Sequence, residues 1–108
     1  MARVVAVSPD LLLGSKIEAM LTAAGHEVSL TPALAGAMAL EDTDLIVADL
    51  DAIDPKKLAD LDIPVLGYYS HVNTATKEAA EAAGVDLVVP RSRMARELPD
   101  LAAKLLER

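Results

Sequence analysis

Short apolar runs alternate with helix-period segments five times along this chain, and that alternation restricts the fold more than any single residue does. Arg3 to Val7 is continuous and β-branched, so it reads as a strand buried on both faces. Ser8-Pro9-Asp10 breaks it, and Leu13, Ile17, Met20, Leu21 and Ala24 then recur at helical spacing up to a glycine stop at Gly25. Glu27 to Leu30 reads as a second, more peripheral strand, and Thr31-Pro32 opens a short Ala-rich helix to about Leu40. Asp44 to Ala48 is the clearest strand. Asp54-Pro55 supplies an N-cap and first helical residue for a helix over residues 55–61. Ile63 to Tyr68 is a fourth strand. Asn73 or Thr74 caps a helix through Ala83, which Gly84 ends. Val85 to Val89 is the fifth strand, and a last helix ends near Leu106. Pro99 interrupts that last segment and pushes Leu98 off helical geometry, which predicts a loose turn over 92–97 and a firm helix from about 99 with Leu98, Leu101 and Leu105 inward.

Five strands alternating with five helices imply βαβ crossovers, hence a parallel sheet with helices on both faces. The 108 residues fit one domain over 1–108, and a domain of that size buries roughly two thirds of its unfolded surface. With no cysteine, disulfides and thiolate metal sites are excluded. There is no signal-peptide pattern and no apolar run near the ~20 residues of a membrane span, so a cytoplasmic protein is expected. The net charge of -7 disfavours nucleic acid and anionic membranes, and Tyr68 and Tyr69 as the only aromatics leave no base-stacking platform.

Open parallel sheets place their chemistry beyond the carboxyl ends of the strands. Four loops gather there, beginning at Ser8-Pro9-Asp10, Asp49-Leu50-Asp51, Tyr69-Ser70-His71 and Pro90-Arg91. Asp49 closes the clearest strand, as a reactive carboxylate or as an acid that binds loop amides. Asp10 is a displaced metal ligand or the cap of the first helix. His71 is a base, a ligand or a solvated loop histidine, and it shares no metal spacing with His26. Tyr68 and Tyr69 face opposite sides of their strand, one packed under a helix and the other at the surface. Arg91, Arg93 and Arg96 form the one basic cluster. Cations at a helix N-terminus oppose its dipole, which leaves a partner site or ordinary solvation as their use. No G-x-G-x-x-G loop and no G-x-S-x-G elbow occur.

On the phrases Asp44-Leu45-Ile46-Val47-Ala48-Asp49-Leu50, Ile63-Pro64-Val65-Leu66 and Ala82-Ala83-Gly84-Val85-Asp86, in that order and spacing, the chain resembles the receiver domain of bacterial two-component response regulators over essentially its full length. The resemblance implies a flavodoxin-like (βα)5 three-layer sandwich with five parallel strands in the order 2-1-3-4-5. It also implies a phosphoryl-acceptor aspartate at Asp49. The family holds Mg²⁺ with that aspartate and an acidic pair after the first strand, and orients the phosphoryl group with a hydroxyl and a lysine. Here the acidic pair falls on Ser8 and Pro9, the hydroxyl on Tyr69 or, with a slip of one, on Ser70, and the lysine on Pro90, with Arg91 beside it. A divalent ion held by so few carboxylates binds weakly, so the chain resembles a degenerate receiver, a pseudo-receiver.

Three readings follow. The first is a non-enzymatic, stand-alone signalling module that contacts a protein partner through the helix ending at Ala83, the fifth strand and the last helix, without phosphorylation and without a cofactor. The second is an active response regulator phosphorylated on Asp49, with Asp10 and Asp51 helping to hold Mg²⁺. The third is a small-molecule binder on a flavodoxin-like scaffold, using Asp49, Ser70 and His71. A salt-sensitive homodimer, with the Arg91–Arg96 cluster against acids of a second copy, is a further expectation.

Overall fold

In a computed structural model, residues 2–35, 42–70 and 72–107 are described. Five strands are present: β1 (Arg3–Val7), β2 (Glu27–Thr31), β3 (Leu45–Asp49), β4 (Val65–Tyr69) and β5 (Leu87–Pro90). Four helices lie among the described residues: α1 (Leu11–Ala23), α2 (Pro55–Ala59), α3 (Thr74–Ala83) and α4 (Arg91–Leu106). The helix expected between Thr31 and Leu40 falls mostly on residues 36–41, outside the described residues. All strand pairs are parallel and the sheet order is β2-β1-β3-β4-β5, as the alternation and the resemblance implied.

β1, β3, β4 and β5 send alternate side chains to two cores, which is why they read as apolar runs, whereas the edge strand β2 adds only Val28 and Leu30 to one of them. Val4, Ala6, Leu45, Val47, Leu66, Tyr68 and Val89 pack with Ile17 and Leu21 of α1 and with the buried face of α4. Val5, Val7, Ile46, Ala48, Val65 and Tyr69 pack with Leu58 of α2 and Ala80 of α3. The tyrosines therefore do face opposite layers. Neither reaches the surface, however, since Tyr69 is buried beneath α2 and α3 rather than exposed.

The helix ends follow local chemistry. The Asp10 carboxylate accepts from the amides of Leu12 (3.0 Å) and Leu13 (3.2 Å), and so satisfies two of the orphan donors at the start of α1. Asp54 caps α2 ahead of Pro55, and Asn73 caps α3 by accepting from the Thr76 amide at 3.3 Å. Gly84 ends α3 at φ 96°, a left-handed backbone that favours glycine.

Two boundaries differ from the sequence expectation. β5 starts at Leu87 because the Asp86 carboxylate turns to accept the Val65 amide at 2.8 Å. More importantly, α4 is continuous through Pro99, with no loose turn over 92–97. Met94, Leu98, Leu101, Ala102 and Leu105 form one buried stripe along it. A break at Leu98 would lift Met94 and Leu98 from the core, at about 1.5–3 kcal/mol for each side chain. That matches or exceeds the ~3 kcal/mol that a helical proline costs. Among the described residues no helix is long and apolar enough to cross a membrane.

Candidate functional site

The chain leaves β1 for α1 on one side and reaches β3 on the other, so the order reverses between the carboxyl ends of β1 and β3. Such a switch point opens a crevice. Ser8 and Asp49 lie on its two sides, one residue beyond β1 and at the last position of β3.

Asp49 is 4% exposed. Its carboxylate accepts from the Asp51 amide at 3.0 Å, and its other oxygen lies 3.8 Å from a guanidinium nitrogen of Arg91. Burial pushes the Asp49 carboxyl above its ordinary value. The Asp51 amide opposes this, the Asp51 charge adds to it, Arg91 opposes it, and Asp10 adds to it. Arg91 reaches the site because β5 runs beside β4, with Pro90 opposite Tyr69, and Arg91 is the next residue. The three arginines expected to act as a cluster are thus divided. Arg93 and Arg96 approach Glu97 of their own helix at 3.3 and 3.8 Å, whereas Arg91 turns to Asp49.

The other strand-end acids are engaged with backbone. Asp10 is the cap of α1. Asp51 accepts from the Ser70 amide at 2.8 Å and from the Asn73 side-chain amide at 2.9 Å, which ties the loop after β3 to the loop after β4. The Ser8 hydroxyl is buried and exchanges hydrogen bonds with the backbone of Asp10, both at 3.2 Å. Among the described residues no group of three or more Asp, Glu, His or Cys is gathered that could hold a metal ion. Tyr69, one of the two positions that the resemblance implied for a hydroxyl, packs into the core beneath α2 and α3. Ser70 stands at the rim. His71 lies outside the described residues.

Two features escaped sequence reasoning. The Tyr68 hydroxyl is buried with no hydrogen-bond partner among the described residues. Burial raises its pKa from 10.0 to about 12; Ser8 is near enough to lower it, although no well-formed hydrogen bond joins them, and the charges of Asp49, Arg91 and Asp10 also act on it. The second is a cleft of about 450 Å³ between the starts of α1 and α4, where Lys16 meets Asp10, Ser70 and Arg91. Lys16 lies one residue before Ile17 on the exposed flank of α1, a position that reads as ordinary surface until α4 is known to run beside it.

The class that this architecture defines is the receiver-domain fold with an acid at the end of the third strand. No known protein-family profile matches the sequence, and no curated protein does. Solved structures do. The receiver domain of the TMAO respiratory system response regulator TorR superposes with a TM-score of 0.86 at 20% identity, covering 100% of this chain and 98% of that one. A putative response regulator from Chloroflexus aurantiacus gives 0.85 at 20% identity, covering 99% and 98%. A response regulator from Thermotoga maritima gives 0.81 at 14% identity, covering 100% and 99%. At such identities the likeness is one of fold.

Proposed function

We propose that this domain is a receiver-like signalling module that works by contact with a protein partner in the cytoplasm, without phosphorylation of Asp49 and without Mg²⁺. It is not proposed to catalyse a reaction. The observation that carries this reading is the company of Asp49. Among the described residues its one ion-pair partner is the guanidinium of Arg91, and the carboxylates of Asp10 and Asp51 are used by backbone and Asn73 donors. Phosphoryl transfer to a carboxylate needs its developing charge neutralised by metal and ammonium together. Ser8 and Pro9 stand where the metal-binding acids would be, and Mg²⁺ dehydrates too reluctantly to be held by one acid and a neighbour already in use. These donors do not fit the ion.

The proposed partner face comprises α3, β5 and α4, with Arg93 and Arg96 offering charge to an acidic surface, whether on another protein or on a second copy. The competing reading, an active regulator, requires Asp10 and Asp51 to leave their present hydrogen bonds and turn to a shared cation. Amide spectra recorded with Mg²⁺ and a beryllofluoride salt test the two. The proposal expects no saturable change at Asp49, Leu50 and Ser70. A saturable change there would favour the active regulator.

A further inference from the structure

The cleft between α1 and α4 is continuous with a second, apolar furrow of about 360 Å³. The two share Leu13, Lys16 and Ala95, and the furrow continues over Met20 and Met94. The chemistry changes along its length. At one end stand Arg91, Ser92 and Lys16; at the other, aliphatic and thioether side chains. We propose that this groove binds a small amphiphilic carboxylate, with its head between Lys16 and Arg91 and its unbranched aliphatic body over Leu13 and Met20.

Three observations support the head end. Lys16 has no ion-pair partner among the described residues, although the protein carries a net charge of -7. Arg91 is held to Asp49 only at 3.8 Å and remains half exposed. The first turn of α4 has no side-chain cap, because its N-cap is Pro90, so the positive end of a 16-residue helix opens toward the cleft. The acids set the limit on ligand charge. Asp10 lines the cleft and Asp49 lies behind Arg91, so two acids face two cations. A single negative charge fits this balance better than a dianion.

The body end suits a flexible chain. Methionine side chains adapt to irregular apolar shapes. The size of each compartment falls in or near the range of ordinary small-ligand sites. The exposed Leu12 at the rim adds apolar surface beside the head. The inference does not depend on whether Asp49 accepts phosphate.

Titration of the ¹⁵N-labelled protein with sodium octanoate, 1-octanol and octylamine tests it. Octanoate is expected to shift the amides of Leu13, Lys16, Ser92 and Ala95 saturably, at least about fivefold more tightly than either other probe. K16Q should weaken octanoate several-fold, and Ala95→Phe, which fills the shared stretch of the groove from an exposed position, should abolish the shifts. Equal affinity for octanol, shifts centred elsewhere, no saturation, or unchanged binding in both variants would each overturn the proposal.

Discussion

The Asp49 carboxylate and the Arg91 guanidinium meet at 3.8 Å across the carboxyl ends of the sheet, an acid of β3 facing a cation that the chain itself delivers from the start of α4. In a carboxylate-rich receiver site a metal ion would neutralise that acid. Here a side chain faces it, and the remaining acids hold the loops in place. The acid is nonetheless buried at some cost, which gives the relationship measurable consequences.

Asp49→Asn should stabilise the protein at neutral pH. The amide keeps an acceptor for the Asp51 N–H and sheds the desolvation that raises the Asp49 carboxyl. Because the folded pKa lies above the unfolded one, the native acid favours folding below the unfolded value and loses that contribution as pH rises through the folded value. The advantage of the variant should therefore shrink as pH falls toward and below 3.8, the ordinary value of the group. Urea midpoints of both proteins at neutral and acid pH check the sign.

Tyr68→Phe removes a buried hydroxyl with no partner among the described residues. Leaving such a group unsatisfied costs about 1–3 kcal/mol, so the variant should be the more stable protein. The phenol ionises near 10 when unfolded but only near 12 when folded. Native stability should thus fall between these values as the unfolded state releases its proton first, and the variant should lack that share of the alkaline loss.

Pro99→Ala should raise the melting temperature by several degrees. Pro99 sits inside α4 and gives the Ala95 carbonyl no donor. Alanine restores that hydrogen bond, and the helix interior gains up to about 3 kcal/mol. Because the buried stripe already holds α4 in one piece, the helix content by circular dichroism should change little.

Gly67→Ala should destabilise by about 1–3 kcal/mol, the usual cost of overpacking a core. A Cβ at Gly67 would meet the Leu50 side chain at 2.6 Å. Leu50 is buried directly after Asp49, so the clash would also disturb the strand end. Leu50→Ala in the same protein should recover part of the loss, and denaturant titration of the single and double variants measures the coupling.

The fold was legible because its signals are local and repeated. Apolar runs of strand length, Asp10, Asp54 and Asn73 as caps, and the glycine stops at Gly25 and Gly84 all stand in the sequence. Pro99 misled because a local preference was outweighed by a stripe of five buried side chains that exists only once α4 lies on the sheet. The site was legible by position but not by pairing. The strand-end placement of Asp49, and of Ser8 and Pro9 after β1, could be read off directly, whereas the turn of Arg91 away from Arg93 and Arg96 depends on which side of the sheet β5 occupies. One of the two tyrosines was expected at the surface, yet Tyr68 packs into one core and α2 and α3 cover Tyr69. The Lys16 cleft depends on two helices at opposite ends of the sequence being neighbours, and no local pattern reports that.

The mass of the intact protein after incubation with acetyl phosphate and Mg²⁺ distinguishes a silent Asp49 from a phosphoryl acceptor. An unchanged mass at high donor concentration is the predicted result. A gain of one phosphoryl group that disappears in Asp49→Asn would contradict it.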